Sequence, residues 1–168
     1  MKELRFLVVL VVVIFLLAML LLLPGCGQEP ADRKTAVATA TPPAVAPHGL
    51  DPARVARGAE IFKANCAVCH GANAEGAPNW SKKGADGKFP PPPLDASGHG
   101  WHHPKSALVQ TIREGTLKLG GGMPAWKDKL SDNDIEAVIA WIQARWPEDV
   151  YKSWVLMDEK ARRGLVRH

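Results

Sequence analysis

The feature that most constrains this chain is the pentapeptide Cys66-Ala67-Val68-Cys69-His70. Two cysteines separated by two residues and followed directly by a histidine are typical of a site where haem is attached covalently. Each thiol can add to one of the two vinyl groups of haem, and the adjacent imidazole can then reach the iron. The pattern therefore predicts haem c attached through Cys66 and Cys69, with His70 as an iron ligand.

Paired cysteines also occur in structural zinc sites and in redox-active dithiols. A structural zinc site needs four protein ligands, and the one remaining cysteine, Cys26, lies far upstream of the pentapeptide. A thioredoxin-like dithiol needs a strand and a helix around the motif, and the sequence pattern indicates no such unit. Haem attachment accounts best for the motif.

The first 26 residues predict export and membrane anchoring. Lys2 and Arg5 precede an uncharged apolar run of eighteen residues, from Phe6 to Leu23. This run is longer than a signal-peptide core and slightly shorter than the roughly 20 residues that span a bilayer. The positive charges before it predict that the chain after Leu23 lies outside the cytoplasm, on the periplasmic side.

Cys26 bears on how the protein is anchored. The residues Leu23-Pro24-Gly25-Cys26 resemble the lipobox of bacterial lipoproteins, although proline is unusual at the second position. We expect either a lipidated Cys26 or an uncleaved N-terminal helix, and both would hold the protein at the cell membrane. Residues 27–49 are rich in Ala, Thr and Pro and predict an extended linker.

Helix signals divide the remaining chain into short helices and loops. Asp51-Pro52 predicts the start of a helix that leads into the pentapeptide. Residues 71–100 are rich in Gly and Pro and predict a loop. Pro104 then predicts a second helix, with Leu108 and Ile112 on one side and Gly115 at its end.

Two more helices are predicted in the C-terminal third. Ser131 and Asp134 approximate a capping box ahead of an apolar helix face that continues to Trp146, and Pro147 should end that helix. A short last helix from about Glu148 would bring together Val150, Trp154 and Met157. Because no alternating strand pattern occurs, the sequence predicts an all-α fold.

The chain resembles the class I c-type cytochromes, specifically the small bacterial monohaem type, over roughly residues 50–146. The resemblance rests on four features in order: Cys66 to Gly71, the loop from Phe89-Pro90 to Leu94, the stretch Gly122-Met123-Pro124-Ala125-Trp126, and the helix from Leu130 to Trp146. It implies a class I cytochrome c helical fold wrapped around one covalently attached haem.

The resemblance also implies how the chain is divided and packed. Residues 50–146 would form the cytochrome c domain, and residues 147–168 a C-terminal helical extension with a basic tail. The first and last helices of the family cross at a small residue with aromatic rings alongside. Gly58, Phe62 and Trp141 stand where that crossing is expected.

Met123 is the candidate for the sixth iron ligand, because the resemblance implies a methionine from a late loop. A thioether is a soft, neutral donor that raises the reduction potential relative to a second histidine. Gly120 to Gly122 would let the loop approach haem closely, and Met157 is the competing methionine. The resemblance further implies that a proline carbonyl orients His70, with Pro92 or Pro93 as candidates and Pro78 as an alternative.

His99, His102 and His103 fall within five residues and could bind copper or zinc. In the alternative interpretation they cap the following helix or bond a haem propionate. One of them could also replace Met123 on the iron. The three histidines therefore have three possible roles: binding a separate metal, supporting the helix or a haem propionate, or ligating the iron.

The resemblance implies a membrane-tethered one-electron carrier of an extracytoplasmic respiratory chain, not an enzyme. A quinol-oxidising complex would be the donor and a terminal oxidase an acceptor. Lysines around the expected haem edge would steer docking (Lys105, Lys118, Lys127 and Lys129). The modest net charge of +4 and the lack of a basic-aromatic stripe argue against a nucleic-acid partner.

The same residues are compatible with two alternative functions. One is a haem-based peroxidase-like or small-molecule-binding enzyme in which Met123 is displaceable and His102 or His103 supplies acid–base chemistry. The other is an electron-transfer subunit within a larger oxidoreductase.

Overall fold

The computed structural model describes residues 46–165, and over this range the chain is helical. Within the described range, β pairing is limited to one isolated bridge between Phe89 and Gly121. The prediction of an all-α fold is therefore confirmed. The predicted anchor, Cys26 and most of the predicted linker lie outside the described residues. Between residues 46 and 165 no helix combines the length and apolarity needed to cross a membrane.

Five α-helices make up most of the regular structure in this range. They are α1 (Pro52–Asn65), α2 (Ala67–His70), α3 (Lys105–Glu114), α4 (Asp132–Gln143) and α5 (Glu148–Arg162). Single turns of 3₁₀-helix lie at Pro47–Gly49, Gly100–His102 and Leu117–Leu119.

The predicted helix starts are confirmed at atomic level. The Asp51 carboxylate accepts a hydrogen bond from the backbone N–H of Ala53 at 3.0 Å, and Pro52 occupies the first helical position. Ser131 and Asp134 form a reciprocal capping box, each side chain accepting the other's backbone N–H at 3.2 Å. Both caps satisfy donors that a helix N-terminus leaves without partners.

Two predicted helix lengths are wrong. Helix α4 ends at Gln143, and the chain tightens over Ala144 to Trp146, where the N–H of Trp146 bonds the carbonyl of Gln143 at 3.0 Å. Pro147 disfavours helical geometry in the residue before it, which accounts for the early end. Helix α5 has 15 residues, where a short helix was expected.

Helices α1 and α4 cross at Gly58, as predicted. A Cβ atom placed on Gly58 would lie 2.8 Å from the Cβ atom of Trp141 and closer still to the backbone carbonyl of Ala137. The rings of Phe62 and Trp141 pack beside the crossing with their centroids 4.1 Å apart. Phe62 is 1% exposed, so this crossing forms the centre of the core.

Helix α5 is fastened to the segment that precedes α3. The buried Trp154 donates its Nε1–H to the carbonyl of His103 at 2.9 Å. The carboxylate of Asp158 accepts the backbone N–H of Lys105, the first residue of α3, at 2.8 Å. Val150 and Met157 pack against the same hydrophobic cluster as Trp154, as predicted.

The end of the predicted linker packs against α5. The His48 ring stacks on Tyr151 with a centroid distance of 4.1 Å. Its Nδ1 atom lies 2.7 Å from a carboxylate oxygen of Glu148, and its Nε2 atom lies 3.0 Å from the carbonyl oxygen of Trp146. With Ala46 also buried, residues 46–49 are held against the helical domain.

Candidate functional site

A cavity of about 570 Å³ is bordered by all four residues predicted to bind haem. Cys66 lies between α1 and α2, Cys69 and His70 lie in α2, and Met123 lies in the loop after α3. The other walls are mainly apolar side chains from α3, α4 and the loop after Pro90: Leu94, Leu108, Ile112, Val138, Ile139 and Ile142.

His70 has a fixed orientation. Its Nδ1 atom lies 2.9 Å from the carbonyl oxygen of Pro92, which can only accept a hydrogen bond, so Nδ1 carries the proton. Burial lowers the pKa of His70, and this hydrogen bond opposes part of that effect. The ring is therefore neutral near pH 7 and has a lone pair on Nε2. Of the three prolines considered from sequence, Pro92 is the one that bonds His70.

The Pro92 carbonyl is held by a folded loop. The N–H of Ala77 bonds the carbonyl of Pro91, and the N–H of Leu94 bonds the carbonyl of Ala74, both at 2.8 Å. Trp146 donates its indole N–H to the Leu94 carbonyl at 2.9 Å. Bonds on both sides of Pro92 therefore fix the acceptor that orients His70.

The two thiols differ in their surroundings. Cys66 is half-buried and Cys69 is exposed. Burial, together with the neighbouring Cys69, raises the pKa of the Cys66 thiol to about 11. Cys66 is consequently a neutral thiol near pH 7, compatible with its apolar position at the cavity wall.

Met123 is held through its backbone by Thr116, a residue that the sequence analysis missed. The N–H of Met123 donates to the Thr116 hydroxyl at 3.1 Å, and the N–H of Thr116 donates to the Met123 carbonyl at 2.9 Å. Both residues lie between α3 and α4, where no regular periodicity relates backbone partners, so the sequence carried no signal for this pair. Met157, the competing methionine, packs against the hydrophobic cluster from α5.

The histidines at 99–103 do not support the metal-site hypothesis. Within residues 46–165, no group of three or more His, Cys, Asp or Glu side chains is placed to hold a metal ion. The rings of His99 and His102 lie against Trp80 and Trp101, at centroid distances of 5.3 and 3.8 Å. His103 meets His99 edge to face at 5.4 Å. All three histidine side chains that the copper hypothesis required are therefore engaged in aromatic ring contacts.

Two of the lysines considered for docking are paired with glutamates. Lys127 bonds Glu114 at 2.8 Å and Lys105 bonds Glu136 at 3.2 Å. The hydrogen bond from Lys127 lowers the pKa of Glu114.

Within residues 46–165, large exposed apolar side chains include two on the turn that precedes the Met123 loop, Leu117 at 59% and Leu119 at 75% exposure.

The donor set and the walls of the cavity fit haem c. Two thiols, an imidazole with a lone pair on Nε2 and a thioether all border one cavity with mainly apolar walls. Imidazole and thioether are both established axial donors to haem iron. Cys66 and Cys69 would hold haem c covalently, His70 and Met123 could donate to its iron, and the apolar walls would favour burial of the macrocycle.

Comparison with known proteins gives a family match over the region from α1 to α4. Residues 53–142 match the family model described as cytochrome C oxidase, cbb3-type, subunit III. No solved structure matches the chain.

Several curated proteins are similar to about half of the chain. The cbb3-type cytochrome c oxidase subunit CcoP of Azospirillum sp. (strain B510) is 35% identical over 92 residues, which cover 55% of this chain and 29% of that protein. The FixP subunit of Azorhizobium caulinodans is 38% identical over 87 residues, covering 51% of this chain and 25% of the relative. Cytochrome c6 of Bryopsis maxima is 32% identical over 87 residues, covering 51% of this chain and 84% of that protein. The chain thus spans less than a third of the length of the two oxidase subunits and most of the cytochrome c6.

Proposed function

Since the chain belongs to the c-type cytochrome family of cbb3-type oxidase subunit III, we propose that it is a membrane-tethered one-electron carrier with His70 and Met123 as axial ligands of haem c. Electron transfer by a covalently bound haem c is the shared property of this family and its cytochrome c6 relatives. When bound, haem c supplies an iron that alternates between two oxidation states. Axial ligation, tethering and choice of partner are the proposed details.

The observation that carries the axial-ligand proposal is the placement of His70 and Met123 on one cavity. His70 offers the lone pair of Nε2 because its Nδ1–H is hydrogen-bonded to the Pro92 carbonyl. Met123 offers a neutral sulfur, and neutral ligands in an apolar pocket favour Fe(II) over Fe(III). Ligation by His70 and Met123 should therefore give the haem a high reduction potential.

The same residues support a carrier more strongly than a peroxidase-like enzyme. An enzyme would need a displaceable Met123 and an imidazole able to act on a ligand at the sixth position. The two histidines considered for that task, His102 and His103, do not border the cavity, and the His102 ring lies against Trp101. A site with both axial positions filled keeps reorganisation small during electron transfer.

A respiratory oxidase is the proposed acceptor. Two of the relatives are subunits of cbb3-type cytochrome c oxidases, and their similarity covers about half of this chain. The chain would receive electrons from a quinol-oxidising complex and pass them to a terminal oxidase, either as a separate carrier or within the oxidase. We place it on the periplasmic side of the cell membrane, tethered through Cys26 or the N-terminal apolar run.

Replacement of Met123 tests the axial ligand. In Met123→Ala, the oxidised holoprotein should lose the methionine-to-iron charge-transfer band and its midpoint potential should fall. Met157→Ala is the matched control, because it removes the other methionine of the described range from a packing position on α5. Retention of the band in Met123→Ala, or its loss in Met157→Ala, would overturn the ligand assignment.

Replacement of Cys26 tests the tether. If Cys26 carries lipid, a radioactive fatty acid should label the unaltered protein and should not label Cys26→Ser. A membrane-bound unaltered protein that takes up no label would indicate the uncleaved helix. Release of the unaltered protein by a salt wash would contradict both forms of tethering.

A further inference from the structure

We propose that Thr116 is a positioning residue that sets how firmly Met123 is presented to the iron. The role rests on the proposed ligation by Met123. Thr116 borders the same cavity as Met123 and follows directly after the glycine that ends α3. It therefore joins the rigid helix to the loop that carries the sulfur.

Two reciprocal hydrogen bonds fix Met123 to Thr116. The Thr116 hydroxyl accepts the Met123 N–H at 3.1 Å, and the Thr116 N–H donates to the Met123 carbonyl at 2.9 Å. The first bond depends on the side chain, and the second depends only on the backbone. A side-chain substitution can therefore remove one bond and leave the other available.

The Thr116 side chain is itself held tightly. The N–H of Gly121 bonds the Thr116 carbonyl at 3.0 Å, and a Cβ atom on Gly121 would lie 2.8 Å from the Thr116 Cβ. On the other side, Gly115 has a φ of +71°, and a Cβ atom there would stand 2.6 Å from the Met123 carbonyl oxygen. The two glycines let the loop close around Thr116, which leaves its hydroxyl directed at Met123.

Positioning matters because methionine is a flexible ligand. Its side chain has three rotatable bonds, so fixing its backbone reduces the conformational freedom that ligation must remove. The hydroxyl also satisfies a half-buried N–H, which would otherwise be left without a protein acceptor. Loss of the hydroxyl should thus favour states in which the Met123 loop has moved away from the cavity.

Competition by imidazole measures this property in the intact holoprotein. Free imidazole is titrated into the oxidised protein, and loss of the methionine-to-iron charge-transfer band reports displacement of Met123. Thr116→Val keeps the shape of the side chain and removes the acceptor, so it should bind imidazole about tenfold more tightly than the unaltered protein. Thr116→Ser retains an acceptor oxygen and should stay within about twofold. The midpoint potential should fall in Thr116→Val and be restored towards the unaltered value in Thr116→Ser.

Equal imidazole affinity in Thr116→Val and the unaltered protein would overturn the positioning role. An increase of the same size in Thr116→Ser would also overturn it, since packing of the methyl group would then be the cause. Met123→Ala, recorded in parallel, distinguishes this failure from failure of the proposed ligation. Retention of the band in Met123→Ala rejects Met123 as ligand, whereas its loss combined with unaltered behaviour of Thr116→Val rejects only the role of Thr116.

Discussion

Gly58 and Trp141 meet where α1 crosses α4, and a Cβ atom on Gly58 would lie 2.8 Å from that of Trp141. Real Cβ atoms do not approach so closely, so a larger residue must push the two helices apart. Gly58→Val should therefore lower the free energy of unfolding by about 2–3 kcal/mol, measured by chemical denaturation of the holoprotein. Ala56→Val places the same side chain at an exposed position of α1 and should change stability by less than about 1 kcal/mol. Equal losses would mean that helix propensity, rather than the crossing, is responsible.

Asp158 acts as an N-terminal cap for a helix other than its own. Its buried carboxylate accepts the N–H of Lys105 at 2.8 Å, and Pro104, the residue before α3, supplies no side-chain acceptor. Asp158→Ala should lower the free energy of unfolding by about 1–2 kcal/mol, as for other lost caps. Glu159→Ala removes the neighbouring carboxylate of α5 and serves as control. If Glu159→Ala lost as much stability as Asp158→Ala, the cause would be the loss of a negative charge from α5 and not the loss of the cap on α3.

Asp134 gives the fold an acid-sensitive contribution. The Ser131 hydroxyl, and then Arg57 with its Nε at 2.8 Å, hold the pKa of Asp134 below its ordinary value of 3.8. A depressed carboxyl pKa stabilises the folded state above the unfolded pKa, and this contribution is lost as pH falls through the folded pKa. Stability should thus decline below pH 3.8. This part of the decline should be missing in Asp134→Asn.

Denaturation curves recorded across that acidic range check the Asp134 prediction. Glu60→Gln neutralises an exposed carboxylate on α1 and should leave the slope of stability against pH close to that of the unaltered protein. If Asp134→Asn retained the full slope, the capping box would not be its source.

Cys66 and Cys69 should both bind haem covalently, and Cys26 should not. Either Cys66→Ala or Cys69→Ala should leave one thioether, so that haem stays with the protein when it is extracted with acidified organic solvent. The double variant should release all of it. Cys26→Ser is the cysteine control and should retain a covalent mass increase equal to one haem. Extractable haem in the unaltered protein would reject covalent attachment.

The helix starts could be predicted because each depends on a local pattern. The caps at Asp51 and Ser131 involve neighbours within three residues, and both were found where expected. The grouping of Cys66, His70 and Met123 at one cavity matches the expectation that came from the motif and the family resemblance. Their binding of haem remains a prediction.

The contacts that could not be predicted join residues far apart in the chain. Asp158 and Lys105 are 53 positions apart, and Trp146 and Leu94 are 52 apart. A carboxylate or indole gives no indication of a distant backbone partner. The length of α5 was underestimated for a related reason, since its buried Trp154 and Asp158 stabilise it through contacts outside the helix.

His48 contacts Glu148, Tyr151 and Trp146, and these contacts mark the C-terminal limit of any linker whose length is to be changed. Residues 46–49 act as a strap on the helical body, so a change of linker length should leave these four residues in place. Deleting the strap itself would strip a ring from α5 and uncover part of the core. Engineered versions that graft this domain onto another anchor should therefore make the junction ahead of Ala46.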